Sequence, residues 1–128
     1  MSEAVVDASA LVDLLLGNEL GTAVRQRISG HALHAPSHID AEALSALGRL
    51  HRAAMIGSDD VDTMLRELVS APIVRHRVAD LVFGAWARRH QLRLADALYV
   101  ELALARGLAL ITTDRRLLSV PVADVIVA

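Results

Sequence analysis

Two short apolar runs, each closing on an aspartate, restrict the fold of this chain more than any other feature. Ala4-Val5-Val6 leads into Asp7, and Leu108-Ala109-Leu110-Ile111 leads through Thr112-Thr113 into Asp114. Neither run alternates apolar with polar residues. A strand with one face in water alternates, whereas a strand without polar positions is covered on both faces. Strands of that kind belong to parallel sheets between helices. The chain between the two runs provides the helices, so an α/β sandwich around a parallel sheet is expected.

Punctuation along the chain divides it into short elements. Ser9 is placed as the cap of a helix from Ala10 to Leu16, ended by Gly17, and a second helix runs from Glu19 to Ile28 and stops at Gly30. Ala32 to Ala35 reads as a strand before Pro36. Ser37-His38-Ile39-Asp40 has the spacing of a capping box, a hydroxyl residue with an acid three places on. The helix behind it carries Ile39, Ala43, Ala46, Leu47 and Leu50 on one face. Gly57-Ser58 separates it from a helix at Asp59 to Val69. The acids in that first turn suit the helix dipole.

After Pro72, Ile73-Val74 reads as a strand weakened by Arg75-His76-Arg77, followed by a helix from Val78 to His90. Leu94 to Arg106 is the clearest helix, with Gly107 in the C-terminal position that favours glycine. Leu108 to Thr112 is a strand, Arg115 to Leu118 a short helix, and Val122 to Val127 a last strand interrupted by Asp124. No repeat or linker divides the chain, so one domain over residues 1–128 is expected. That length lies within the usual range of a single domain.

Asp7, Glu42, Asp96 and Asp114 are the candidate site. In open parallel sheets ligands bind beyond the carboxyl ends of strands, which is where Asp7 and Asp114 fall. Glu42 and Asp96 each open an amphipathic helical stretch. Asp96 shares a face with Tyr99, Val100 and Ala103, and an acid on an apolar face is costly unless it is paired or bound to a metal. Each acid also has a plainer reading. Asp7, Asp96 and Asp114 could simply cap helices, and Glu42 could be a solvated border residue. Asp40 is better explained as a cap, Glu101 as a solvated residue, and Asp13 as a surface or neighbouring group.

Gathered carboxylates repel: at about 4 Å each pair costs roughly 4 kcal/mol at a protein-like dielectric. A hard divalent cation between them reverses the sign, and oxygen donors favour Mg²⁺ or Mn²⁺. Metal-dependent phosphoryl transfer is the chemistry this set points to.

Other chemistries find no support. The chain has no cysteine, which removes disulfides, thiolate metal sites and thiol nucleophiles. There is no P-loop, GxGxxG, HExxH or GxSxG pattern. No run of about 18 apolar residues exists for a membrane span. Glu3 and Asp7 interrupt the N-terminus before a signal peptide could form, so a cytoplasmic protein is expected. The formal charge of −2 excludes a globally basic nucleic-acid binder. All 13 basic residues are arginine. The planar guanidinium grips phosphate in two places, so Arg88-Arg89 and Arg115-Arg116 are candidate phosphate contacts beside a bland origin in genome composition.

Four segments carry a resemblance. Val5-Val6-Asp7-Ala8-Ser9-Ala10-Leu11, Ala41-Glu42-Ala43-Leu44, Leu94-Ala95-Asp96-Ala97-Leu98-Tyr99-Val100 and Ile111-Thr112-Thr113-Asp114-Arg115-Arg116-Leu117 resemble, in order, the four motifs of PIN-domain ribonucleases. Size and order resemble the VapC toxins of toxin–antitoxin pairs. The resemblance implies a parallel sheet of about five strands flanked by helices on both faces. It implies Mg²⁺ or Mn²⁺ held mainly through Asp7 and Asp96, with Asp114 completing the set directly or through water. Glu42 would bind a second metal or orient the attacking water, and Ser9 and Thr112 would support the site. It further implies endonucleolytic cleavage of RNA (often tRNA or rRNA), 5′-phosphate and 3′-hydroxyl products, a VapB-type antitoxin partner and a homodimer. Arg115 and Arg116 are the candidate substrate contacts.

Three rivals are weighed against this reading. A phosphoacceptor receiver domain needs a lysine, and the chain has none. A PIN-like binding or regulatory subunit without catalysis would not need four acids. A metal-dependent DNA nuclease shares the site chemistry and differs only in substrate.

Overall fold

A computed structural model of the chain describes residues 2–127; Met1 and Ala128, the outer bounds of the expected domain, lie outside the described residues. Five strands form one sheet: β1 Ser2–Val6, β2 His31–Pro36, β3 Ile73–His76, β4 Leu110–Thr112 and β5 Ala123–Val125. Every pairing is parallel, in the order β3-β2-β1-β4-β5. The helices are α1 Ala8–Leu16, α2 Glu19–Ile28, α3 Ile39–Arg52, α4 Ser58–Ser70, α5 Val82–Ala87 and α6 Leu94–Arg106. Short 3₁₀ turns cover Val78–Leu81 and Arg115–Leu117. No described helix is long and apolar enough to cross a membrane.

The apolar runs behave as parallel strands should. Ala4, Val5 and Val6 are all buried, as are Leu110 and Ile111. Consecutive residues point to opposite faces, so burial of Ala4 to Val6 and of all three residues of β4 means that both faces are covered, whereas Leu108 and Ala109 precede β4 and are partly exposed and exposed. Helix α6 packs on β1, β2 and β4, while α1 packs on α2, α3 and β4. Ile39, Ala43 and Leu47 of α3 are fully buried, with Ala46 and Leu50 partly buried beside them. Gly21 lets α2 close on α1: a Cβ there would sit 2.0 Å from the Asp13 carbonyl oxygen.

Topology fixes where a ligand can bind. The chain winds outward from β1 through β2 to β3, then returns to the other side of β1 for β4 and β5. The direction reverses between β1 and β4, where Val6 registers with Ile111. A crevice opens beyond the carboxyl ends of strands at such a switch point.

Several local expectations change in the structure. The cap of α1 is Asp7, not Ser9, and its side chain accepts from the Ala10 N–H. The capping box at Ser37 does not form: His38 occupies the cap position without a side-chain bond. Asp40 is instead held by Arg75, with Nε 3.0 Å from Oδ2 and Nη2 3.0 Å from Oδ1. Arg75 also donates to the carbonyls of Leu68, Ala71 and Ile73. It therefore continues β3 rather than weakening it. The helix expected from Val78 to His90 is a 3₁₀ turn followed by the six residues of α5. Strands β4 and β5 are three residues each, shorter than their apolar runs.

Candidate active site

The crevice at the switch point is a groove of about 350 Å³ whose lining includes Asp7, Glu42, Asp96 and Asp114. Each acid arrives from a different element. Asp7 follows β1 and caps α1. Asp114 follows β4 and caps the 3₁₀ turn through the Arg116 N–H. Glu42 and Asp96 lie in the first turns of α3 and α6. Asp96 does not cap its helix; that position belongs to Arg93.

Asp7 is the deepest of the four, 5% exposed. Its Oδ1 accepts from the Ser9 hydroxyl at 2.7 Å and the Ala10 N–H at 3.0 Å. Its Oδ2 accepts from the Thr112 hydroxyl at 2.5 Å. Ser9 and Thr112 also approach each other at 3.1 Å, so both hydroxyls bind one carboxylate and bridge α1 to β4. Burial raises the Asp7 carboxyl from 3.8 to about 6; the hydrogen bonds from Ser9, Thr112 and Ala10 oppose this, and the charge of Asp114 adds to it. Desolvation is the dominant effect, and it disfavours the charged form.

Asp114 is in the opposite situation. Arg116 grips both of its oxygens, with Nε at 3.0 and 3.1 Å and Nη2 at 2.5 Å. That fork, helped by the Arg116 N–H, holds the Asp114 carboxyl below its usual value against a smaller effect of burial. Asp96 is reached by Arg93, Nε to Oδ2 3.3 Å. Glu42 accepts from the Tyr99 hydroxyl at 2.5 Å and lies 3.3 Å from His38 Nε2.

Asp13 lines the same groove, accepting from Thr113 at 2.7 Å and Asn18 at 2.8 Å. Glu101 does not reach it. Contrary to its expected solvation, Glu101 pairs with Arg88 at 3.1 Å and packs over Gly84. Arg115 lines a separate cavity with Asn18, Glu19 and Ile126. Arg89 lies over the Trp86 ring, 4.8 Å from its centroid. Two arginines missed by the sequence reading are in the groove: Arg49 and Arg93. Arg49 stands seven residues after Glu42, two helical turns along the same face, a spacing that could have revealed it. Arg93 stands three residues before Asp96 and is legible in the same way.

Among the described residues, no group of three or more histidines, aspartates and glutamates is set closely enough to hold an ion alone. The donor set nonetheless fits Mg²⁺ or Mn²⁺. Every candidate is an oxygen donor, and Mg²⁺ keeps several waters while binding through one or two carboxylates.

Comparison with known proteins identifies the family. The PIN domain family model matches residues 4–123. Ribonuclease VapC3 of Mycobacterium tuberculosis is 54% identical over 116 residues, covering 90% of this chain and 85% of that protein. Ribonuclease VapC12 of the same organism is 34% identical over 113 residues, 88% of each chain. Among solved structures, the sarcin-ricin loop cleaving toxin VapC20 of M. tuberculosis superposes with a TM-score of 0.64 at 17% identity, covering 88% of both chains. VapBC2 of Rickettsia felis superposes at 0.66 with 10% identity, covering 97% of both. These two distant structures speak to the fold alone. The chain belongs to the PIN-domain family, among its VapC-type ribonuclease toxins.

Proposed function

We propose that this chain is a divalent-cation-dependent endoribonuclease, the toxin of a type II toxin–antitoxin pair that its antitoxin neutralises. The observation that carries the reading is the meeting of Asp7, Glu42, Asp96 and Asp114 in one groove at the switch point, with Arg49, Arg93 and Arg116 in the same lining. Acids suit a hard cation, and guanidinium forks suit the phosphates of RNA.

Asp7, Asp96 and Asp114 would hold Mg²⁺ or Mn²⁺. A bound ion would supply positive charge against the negative charge that develops on the phosphodiester, and would acidify water. The remaining work falls to the chain. Ser9 and Thr112 fix the rotation of the Asp7 carboxylate. Glu42 accepts a proton from the attacking water and aims it in line with the 3′ oxygen, which leaves as the P–O3′ bond breaks and takes a proton from solvent. Arg49, Arg93 and Arg116 hold the flanking phosphates and set the strand's direction through the groove. A 5′-phosphate and a 3′-hydroxyl are the expected products, with tRNA or rRNA as substrate.

A VapB-type antitoxin is the expected partner; one structural neighbour is a toxin–antitoxin complex from Klebsiella pneumoniae, which shares the fold at 17% identity and a TM-score of 0.59. A homodimer and a cytoplasmic location complete the proposal.

Mapping of new 5′ ends tests it. Total bacterial RNA is incubated with the pure chain and Mn²⁺, with EDTA and Asp96→Asn as controls. Discrete cuts that disappear in both controls are expected. Intact RNA with folded, partner-free protein would reject the reading and favour a regulatory subunit. Cleavage of DNA in place of RNA would make it a DNA nuclease.

A further inference from the structure

Glu42 faces the groove with about a third of its side chain exposed, and a glutamate so placed on a helix surface normally swings freely. Here one hydrogen bond and one close contact hold it. The Tyr99 hydroxyl donates to Oε1 at 2.5 Å. Tyr99 is 2% exposed and comes from α6, one turn after Asp96. His38 Nε2 lies 3.3 Å from the same Oε1 and 3.1 Å from the carbonyl oxygen of Ala95. Both neighbours are acceptors, so Nε2 carries the hydrogen.

The other face of His38 is unusual. Its Nδ1 is buried and has no hydrogen-bond partner, alone among buried side-chain nitrogens and oxygens of the described residues. Its ring lies against Tyr99, with centroids 4.7 Å apart. Two apolar rings would fill this space without an orphaned nitrogen or a buried hydroxyl. The polar atoms are accounted for only by what they reach: a Glu42 oxygen, and the backbone of the residue preceding Asp96.

We propose that Tyr99 and His38 are positioning residues for cleavage, locking the Glu42 carboxylate of α3 in register with Asp96 of α6. The proposal rests on the reading of Glu42 as part of the cleavage machinery. Burial, and then the Glu42 bond, push the Tyr99 hydroxyl far above its usual value, so it remains a donor throughout the working range.

Steady-state cleavage by Tyr99→Phe, Glu42→Gln and the double variant provides the test. Tyr99→Phe keeps the ring and removes the bond. Its kcat is expected to fall about 10- to 100-fold, the scale of a small misplacement of a reacting group. KM for RNA and the melting temperature should remain near wild type. In the Glu42→Gln background the same change should cost nothing further, because Tyr99 acts only through Glu42. His38→Ala should lose activity, and His38→Gln, which retains a donor, should recover part of it. Tyr99 is the chain's one tyrosine, so the tyrosine Raman doublet reads this hydroxyl alone. A strong-donor signature is expected, and it should be lost in Glu42→Ala. Wild-type kcat in Tyr99→Phe, independent losses in the double variant, or a Raman doublet indifferent to Glu42 each overturn the proposal while leaving the nuclease reading intact. Full activity in Glu42→Gln overturns this proposal and the role given to Glu42 while leaving the nuclease reading intact; no cleavage by the wild-type chain overturns both.

Discussion

The Thr112 hydroxyl donates to Asp7 Oδ2 at 2.5 Å, joining the last residue of β4 to the cap of α1. The two residues are 105 positions apart in sequence. Thr112 is also the acceptor for the Asp114 N–H at 3.0 Å, so one hydroxyl ties two acids of the groove together. Thr112 is fully buried, and its removal leaves a carboxylate oxygen and an N–H without partners. Thr112→Val should cost about 1–3 kcal/mol, the usual penalty of an unsatisfied buried group. Thr112→Ser, which keeps the hydroxyl, should lie closer to wild type. Urea unfolding of both variants decides the matter; equal midpoints would show that the hydroxyl carries no weight.

Asp7 gives the fold a pH dependence whose sign is unusual for an aspartate. Its carboxyl titrates at about 6 when folded and at an ordinary 3.8 when unfolded. Between those values the folded chain binds the proton and the unfolded chain does not. The contribution of Asp7 is therefore full below about pH 3.8 and is lost as pH rises through 6. That interval corresponds to roughly 3 kcal/mol. Asp7→Asn keeps an acceptor for the Ala10 N–H and never ionises. Without added divalent cation it should be more stable than wild type at pH 7 by up to roughly 3 kcal/mol, while losing cleavage. Chemical denaturation from pH 4 to 8 should show the two curves converging toward acid. Parallel curves would remove Asp7 from the account.

Much of this was legible because local pattern and global fold agree. An all-apolar run is a doubly covered strand whatever follows it, and Gly107 ends α6 at φ 66 as its position demands. All four acids follow a strand or open an amphipathic helix. What was not legible depends on distant partners. Arg75 looks like a strand breaker until Asp40 and three carbonyls surround it. Ser9 and Asp7 compete for one cap, and only the position of Thr112 orients Asp7 toward Ala10. Glu101 reads as a solvated residue in the sequence, but Arg88 of another segment neutralises it. Arg49 and Arg93 carry no motif of their own.

Arg75 gives a test of that distinction. Its side chain is three-quarters buried and makes six hydrogen bonds, three to Asp40 and three to backbone carbonyls, while Asp40 itself is nearly half exposed. Solvent screens the ion pair, so the carbonyl bonds matter most. Arg75→Ala should destabilise by about 2 kcal/mol, within the range for buried bonds to a charged donor. Asp40→Asn should cost less than half of that. Thermal unfolding checks the ranking, and a larger loss in Asp40→Asn would mean that the ion pair dominates.

Cation binding should be visible without any RNA. A ligand that binds only the folded chain raises stability by RT ln(1 + [L]/Kd), about 2.7 kcal/mol at one hundred times Kd. In a chain of this size that is a rise in Tm of several degrees. Mn²⁺ at millimolar concentration should therefore shift the melting curve upward at pH 7.5, and Asp96→Asn should reduce the shift. The shift should also shrink below about pH 6, where the Asp7 carboxyl takes up the proton that competes with the ion. Arg116 holds Asp114 through both oxygens, so the ion must displace that fork to use Asp114 directly. Arg116→Ala should for that reason give a larger Mn²⁺ shift than wild type. A melting curve unmoved by Mn²⁺ in all three proteins would reject a cation site in this groove.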